Sequence, residues 1–592
     1  MSEPDSKGLI EELKRRKVYR VAATYAAVAF VVVQIADLVL PAFDTSGIAY
    51  RWVVIAVLVG FPVAAVLAWV FELTPEGLRI TRTDSDASLA TSKPGLPAKL
   101  EFLLVTVVVL AAIWGAWFLT GRNAPQPEPS HSLAVLPFTE VGELRELSFA
   151  DGVHDDLLTR LSNIHGLTVI ARSSVEPYRG SDKTVSDIAQ ELGVRWILEG
   201  DVQQIGDKAR VQVRLVDPVN GAQSWGDSFL FTLSAADLFA VQSKITHRIA
   251  DALEIRLAPE EERSVSVAPT ENLEAYRLFI KAQTLLEQRE EPQMRRALTL
   301  FEEATDLDPY FTLAWVGVAD TLYELVDYGF PMPEGTTIRA RNSAERALQL
   351  DPENPEAHVS LGIIHHISQD GIRSLSLLNR AIKLRPSYAE AFSKISWVAQ
   401  ILGRLELASQ SAEQAIMLSP LAIEPMANFA MTRVMNGDYS TALDALRSKS
   451  DAMQAWPTLR FYEGVALHHM GRYDEAAKVL QDLKIPWAGE GPLTTVAMSY
   501  AAMGDDQAAR SIIGRLRQIH AHPFLVAIVL ASLGEKEAAF LEIESIQDWS
   551  INADWPILAA RFLFPAETAS LRVDARYDRM LRHIDRAWGL VE

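Results

Sequence analysis

The sequence predicts a multidomain protein: three transmembrane helices, a small α/β domain, and an all-α solenoid of repeated helix pairs. Three observations carry that prediction. Apolar runs of roughly 20 residues recur three times before residue 120, near the length a helix needs to cross a bilayer. Strand-period and helix-period segments alternate between residues 131 and 260. Small residues then recur at a 34-residue spacing from Glu271 onward. A chain of 592 residues also exceeds what one core can serve. Its 56 Lys and Arg against 76 Asp and Glu leave a net charge of −20, which argues against a protein that grips phosphate backbone, so no nucleic acid is expected as a partner. There is no cysteine, which excludes disulfides, Cys-ligated zinc, iron–sulfur clusters and thiol catalysis.

The mean hydropathy of +0.07 is high for a soluble protein and directs attention to the first 120 residues. After a basic segment at 1–17, the anchor at 18–120 is expected to hold helices at about 21–40, 52–71 and 102–119, because only helices or closed barrels satisfy their backbone in lipid. Lys7, Lys14, Arg15, Arg16, Lys17 and Arg20 precede the first run, and Arg79, Arg82, Lys93 and Lys99 follow the second. Short loops rich in Lys and Arg stay on the cytoplasmic side. Three spans then place the N-terminus in the cytoplasm and the bulk of the chain in the periplasm of a bacterial inner (plasma) membrane. Gln34 and Asp37 share one helical face inside the first run, and Asp37 is a candidate functional carboxylate there.

Three prolines within residues 123–130 make the 121–130 stretch a stiff spacer. The α/β domain is expected over 131–260. Leu133–Phe138, Leu167–Ala171, Trp196–Gln204, Ala209–Val216 and Ala222–Phe231 read as strands; Phe149–Ile164, Thr184–Leu192 and Ser234–Leu257 read as helices. Val211, Val213 and Leu215 alternate with Gln212 and Arg214, the pattern of a half-exposed antiparallel pair, and Asp217-Pro-Val-Asn-Gly221 supplies the turn.

The solenoid is expected over 271–548 as about eight helix pairs, with a C-terminal helical cap at 549–592. Ala297, Ala340, Ser374, Ala408, Ala442, Ala476, Ala508 and Ala538 mark the second helices. Leu-Asp-Pro309, Leu-Asp-Pro352, Leu-Arg-Pro386 and Leu-Ser-Pro420 follow in the same phase, each proline 12 residues after its small residue. Small side chains are needed where paired helices approach, and proline ends a helix without requiring an N–H partner. Two series in one register are the tetratricopeptide signature, and Gly471-Arg-Tyr-Asp-Glu-Ala476 reads as a turn between paired helices. A nine-residue insertion falls near Tyr328-Gly-Phe-Pro-Met-Pro-Glu334.

The opening Glu12-Leu-Lys-Arg-Arg-Lys-Val-Tyr-Arg-Val-Ala-Ala23 resembles the start of a family of bacterial membrane-anchored tetratricopeptide proteins. Ser132-Leu-Ala-Val-Leu-Pro-Phe138, Phe149-Ala-Asp-Gly152, Ile170-Ala-Arg172, Leu198-Glu-Gly200 and Ala222-Gln-Ser-Trp225 are similar to the TolB amino-terminal-like domain of that family. Leu571-Arg-Val-Asp-Ala-Arg-Tyr577 resembles its terminal segment, usually Asp-Pro-Arg-Phe, with Ala575 and Tyr577 departing. The resemblance implies an extracytoplasmic half that is often fused to an adenylate or guanylate cyclase domain or to a winged-helix DNA-binding domain. About 17 residues precede the first run and about 30 follow the second, too few for either, so neither domain is expected here.

No nucleotide-loop, dinucleotide, zinc-protease or serine-hydrolase motif is present in the sequence. Asp151, Asp155 and Asp156 beside His154 could imitate a metal site, but carboxylates are also favoured where a helix starts. His365-His366 and His468-His469 are adjacent on helices and so point apart; His520 and His522 fall in a turn. Trp315, Phe392 and Phe429 recur at core spacing. His358, His365 and Arg433 fall on first helices. No catalytic, cofactor-binding or metal residue is assigned, and no cofactor is expected. The expected function is a non-enzymatic membrane protein presenting a periplasmic protein-binding scaffold in envelope assembly or signalling. Its expected partners are a protein or peptide in the concave repeat surface, the lipid bilayer, and a partner within the membrane. The alternatives are an accessory or sensor subunit that modulates a cyclase or transcription factor in trans, and an enzyme using the Asp151, Asp155 and Asp156 cluster.

Overall fold

The computed structural model describes residues 71–74, 77–80, 131–141, 148–218, 221–448, 456–483, 490–546 and 554–587. The chain divides into two compact units, Met1–Gln126 and Pro127–Glu592. In the first, strands β1 (Phe71–Thr74) and β2 (Gly77–Ile80) form an antiparallel hairpin with Phe71 opposite Ile80.

That hairpin bears on the membrane expectation. Phe71, the expected last residue of the second transmembrane helix, starts a strand; the rest of the runs at 21–40, 52–71 and 102–119, with Gln34 and Asp37, lie outside the described residues. Among the described residues no helix is long and apolar enough to cross a membrane. The fold class is therefore corrected to a predominantly helical repeat protein with a small sheet domain. The multi-pass inner-membrane location, the periplasmic orientation and the bilayer as partner fall with the three helices from which they were derived. The physical reason is that an apolar run near 20 residues marks burial as readily as lipid, and the orientation rule operates only once the spans are given.

The second unit opens with a mixed sheet. Its strands are β3 (Ser132–Val135), β4 (Thr139–Glu140), β5 (Thr168–Val169), β6 (Trp196–Ile205), β7 (Lys208–Asp217) and β8 (Ala222–Thr232), in the order β5-β3-β6-β7-β8 with β4 also on β6. The β5-β3-β6 half is parallel and the β6-β7-β8 half antiparallel. Val211, Val213 and Leu215 are fully buried while Gln212 and Arg214 are exposed, as the alternation requires. Helix α1 (Ser148–Ser162) covers one face; α2 (Arg172–Val175) and α3 (Val185–Leu192) close the other around Ala134, Ile170 and Ile197. Gly200 is required where β6 passes Phe138, because a Cβ there would sit 2.5 Å from the ring. Helix α4 (Ala235–Ala252) is capped by Ser234, which accepts from Asp237 N, and joins α1 on the first face. The short α5 (Pro259–Ser266) follows.

Eight helix pairs come next: α6 (Leu273–Leu286) with α7 (Glu291–Leu307), α8 (Thr312–Asp327) with α9 (Thr336–Leu350), α10 (Pro355–Ile367) with α11 (Gly371–Leu384), and α12 (Ala389–Ile401) with α13 (Leu405–Leu418). They continue as α14 (Ile423–Met435) with α15 (Tyr439–Arg447), α16 (Pro457–His469) with α17 (Tyr473–Leu480), α18 (Gly491–Ala502) with α19 (Asp506–Gln518), and α20 (Pro523–Ser532) with α21 (Lys536–Glu544). The expected small residues from Ala297 to Ala476 are all fully buried at these crossings. In the last two pairs the register slips by one: Ala509 and Ala539 are fully buried, whereas Ala508 and Ala538 are partly exposed. Successive first helices pack directly on one another, and the described second helices make no comparable contact, so the first helices line the inside of the stack. The chain closes with α22 (Asp554–Leu558), a π turn at Ala559–Leu563, α23 (Ala569–Arg572) and α24 (Ala575–Ala587).

The α/β domain is held along the turns of the solenoid. The hydroxyl of Ser387 donates to Leu167 O at 2.9 Å and accepts from Val169 N at 3.2 Å, covering the edge strand β5. Ala171 N donates to Leu418 O at 2.8 Å, and Leu421 N donates to the Ser174 hydroxyl at 2.9 Å. Arg385 spans the junction, its Nε bonded to Asn163 at 2.8 Å and its Nη2 to Glu356 at 2.5 Å.

Candidate functional site

The first-helix face falls into two stretches. The rear stretch, on α16 and α18, is filled by the chain's own C-terminal segment. His468 is buried with Nδ1 2.9 Å from the Ser499 hydroxyl and Nε2 2.9 Å from Glu567, while the Phe564 ring stacks on His469 at 5.4 Å. Burial, with His468 adding to it, pushes the His469 imidazole pKa down. The serine, histidine and carboxylate have the connectivity of a hydrolytic triad. Ser499, however, is fully buried and its hydroxyl donates to Thr495 O at 2.9 Å, so the group braces the C-terminal segment. Tyr577 extends the brace by donating to Ala560 O at 2.6 Å.

The front stretch, on α8, α10 and α12, is different. Asp320 lies mid-way along α8 and Glu324 one turn on, in the last turn, where the helix dipole disfavours a carboxylate. Glu356, Glu390 and Glu424 repeat at 34-residue intervals in the first turns of α10, α12 and α14, where the dipole favours them. Arg289 meets Glu324 at 3.1 Å, Lys394 meets Glu424 at 2.9 Å, and the Ser360 hydroxyl bonds Asp320. Burial drives the Asp320 carboxyl well above its ordinary range, with Glu390, Glu324 and Glu356 adding to the shift. Burial lifts Glu324 to about 7 against the pull of Arg289 and Lys394. Glu390 and Glu424 are both exposed; desolvation raises the Glu390 carboxyl pKa despite Lys394, whereas at Glu424 the adjacent Lys394 overcomes it and leaves the carboxyl lowered.

Arg289 is held in an unusual backbone state. It has φ +55 in the turn between α6 and α7, a slot that Gln369 also takes at φ +64 and that Gly403, Gly437, Gly471, Gly504 and Gly534 fill in later pairs. A side chain in that region costs about 1 kcal/mol relative to glycine. The arginine there is anchored by Glu324 and by donation to the Tyr328 hydroxyl at 3.3 Å.

The residues considered from sequence fall elsewhere. Asp155 pairs with Arg172, and Asp151 pairs with Arg179 at 2.6 Å. Burial raises Asp156 to about 6, and His154 is fully buried with Nε2 3.0 Å from Val135 O. Among the described residues no group of three His, Asp or Glu is placed to hold a metal ion. His358 turns back to Pro352 O at 3.1 Å, His365 faces Asp370 at 3.5 Å, and Arg433 turns to Glu413 on a second helix. His366 packs edge-on against Trp397 at 4.4 Å. Burial lowers His522 to about 4, and its ring accepts from Phe524 N at 3.3 Å; His520 has φ +54. Trp315 and Phe429 are only partly buried: Trp315 lines a surface cavity of about 610 Å³ with Glu302, Arg339 and Arg346, and Phe429 lies under Arg433. Phe392 is likewise partly buried. The front carboxylates were missed, although the 34-residue ladder of Glu356, Glu390 and Glu424 and the arginine in a glycine slot were both readable.

Comparison with known proteins agrees with the repeats. Residues 339–389 match a tetratricopeptide repeat model, and residues 129–248 match the second domain of HilA/YgeH-like transcriptional regulators. The solenoid is thus built of tetratricopeptide-like repeats, and the α/β segment resembles the second domain of HilA/YgeH-like transcriptional regulators. "Putative adenylate cyclase 3" of Rhizobium meliloti (strain 1021) is 30% identical over 251 residues, which are 41% of this chain and 42% of that protein. The chain therefore spans less than half of that relative's length. "Transcriptional regulator HilA" of Salmonella typhimurium is 22% identical over 427 residues, 70% of this chain and 74% of that one. A tetratricopeptide repeat protein from Parabacteroides merdae overlaps 44% of this chain and all of its own, at 12% identity and a TM-score of 0.33. At that score the repeat assignment rests on the model match and the internal spacing instead.

Proposed function

We propose that this chain is a non-enzymatic scaffold whose front first-helix face holds an extended segment of a partner protein in a signalling role. One observation carries the reading. The rear of the face is closed by the chain's own C-terminal segment, while the front carries Asp320, Glu324, Glu356, Glu390 and Glu424 against only Arg289, Arg385 and Lys394. Repeat solenoids bind extended chains on such inner faces, where side chains vary without disturbing the stack. The α/β domain serves as a brace that fixes the front pairs through Arg385, Ser387 and Ser419.

The test is photocrosslinking in the producing cell. Benzoylphenylalanine replacing Trp397, on first helix α12, is expected to trap one discrete partner. The same group replacing Ile372, exposed on second helix α11, is expected to trap none. Equal labelling from both positions, or none from Trp397, refutes the reading.

A second reading is an accessory subunit that acts in trans on a cyclase or a transcription factor. The names of the two relatives favour it. It predicts that deleting the gene changes cyclic-nucleotide levels or transcription, and unchanged levels of both refute it.

A further inference from the structure

The front carboxylates outnumber their partners. Asp320, Glu324, Glu356, Glu390 and Glu424 share three cations, Arg289, Arg385 and Lys394, and each cation is already committed: Arg289 to Glu324, Arg385 to Glu356 and Lys394 to Glu424. The Glu324 side chain is nine-tenths buried, yet its Oε2 has no hydrogen-bond partner, and neither does Oε2 of Glu356. An unmatched buried carboxylate oxygen weakens the fold. One further feature points to a ligand: Glu324 sits in the last turn of α8, at the end of the helix dipole that disfavours a carboxylate.

We propose that Asp320, Glu324 and Glu390 form a pocket on the first-helix face for a lysine or arginine side chain of an extended partner segment. The inference rests on the scaffold reading and names the chemistry the scaffold selects. A basic side chain would supply the missing charge and donate to Glu324 Oε2. On the same face the Tyr388 ring already takes the Arg385 guanidinium at 4.7 Å. A divalent metal fits less well, since no three of these groups converge in ligand geometry among the described residues. A flexible basic side chain needs no such convergence.

The occupant is committed by charge complementarity. The carboxylates facing Glu324 and Asp320 come from α8, α10 and α12, and the opposing cations are Arg289 and Lys394. With those carboxylates raised, entry of a cation ionises them and releases protons.

The experiment is fluorescence anisotropy on the full chain. The probes are fluorescein-labelled Ala-Leu-Lys-Ala-Leu-Lys-Ala-Leu amide and the same peptide with norleucine at both lysines. The lysine peptide is expected to bind at least about tenfold tighter, a margin of about 1.4 kcal/mol. Glu324→Gln and, as a second variant, Glu390→Gln are each expected to remove most of that margin. Glu345→Gln, on exposed second-helix surface, is expected to leave it unchanged. Melting curves show whether each variant is folded, and the two variants act independently should one fail. Equal binding of both peptides overturns the basic pocket and leaves the scaffold reading standing. No binding of either peptide, with Trp397 still crosslinking a partner, overturns the pocket alone. No binding and no crosslink overturn both.

Discussion

The front and rear of the first-helix face use the same repeat geometry for opposite ends. At the rear, Val465, His468, Thr495 and Ser499 are buried, and every polar contact named there is made within the chain. At the front, the corresponding helices carry Asp320, which accepts from Ser360, Glu324, which meets Arg289 but keeps Oε2 unmatched, and the exposed Glu390. The difference teaches that a repeat solenoid separates its stabilising surface from its recognition surface by position along the stack. One stretch is covered by the chain's own C-terminal segment, and the other carries more carboxylates than cations. Four changes break or sharpen that comparison.

The largest effect is expected at the rear. Phe564→Ala removes a fully buried ring that packs on His469, and it should lower unfolding stability by about 3–5 kcal/mol in denaturant titration. A loss below about 1 kcal/mol would mean that the C-terminal segment does not fill the rear face. Next, Ser387→Ala strips both hydrogen bonds from the edge strand β5 and should cost about 1–3 kcal/mol. An unchanged melting midpoint would show that the α/β domain is not braced there.

The front should respond weakly in stability. Arg289→Gly relieves the left-handed backbone but takes the cation from buried Glu324; the two effects oppose, so stability should shift by no more than about 1 kcal/mol, while binding of a basic peptide tightens. A clear loss of stability would make Arg289 a structural residue. The smallest effect is a slope. The Glu324 carboxyl is raised to about 7 in the folded state, above its ordinary value of 4.5. The folded chain therefore holds a proton that the unfolded chain has lost, and stability falls as pH rises from 4.5 to about 7. Glu324→Gln should flatten that fall in melts taken at intervals across the window. An unaltered slope assigns the effect to other groups.

Much of the fold was legible in the residues. The alanine series and the proline series share a 34-residue register because helix pairs of constant geometry need small residues at fixed crossings. The register slipped by one only at Ala508 and Ala538, where the final pairs shorten. Alternation in Val211–Leu215 likewise gave the sheet its buried face.

What escaped was everything that depends on distant contacts. Arg385 and Ser419 were read as parts of proline turns, and nothing local shows that they reach Asn163 and Ser173. Glu567 lies 99 residues from His468, so the brace that fills the rear face leaves no periodic trace. The membrane reading failed for a related reason. It took apolar length as sufficient, whereas the described residues there form a short hairpin with Glu72 and Arg79 paired across it. The front carboxylates were visible as a ladder but had an adequate local explanation in the helix dipole.

Hydrogen exchange on the full chain, with and without the lysine octapeptide, tests the division of the face most directly. The account predicts slowed amide exchange along α8, α10 and α12, with α16, α18 and the C-terminal segment unchanged. Protection that falls on α16 and α18 instead, accompanied by faster exchange in residues 554–572, would contradict it.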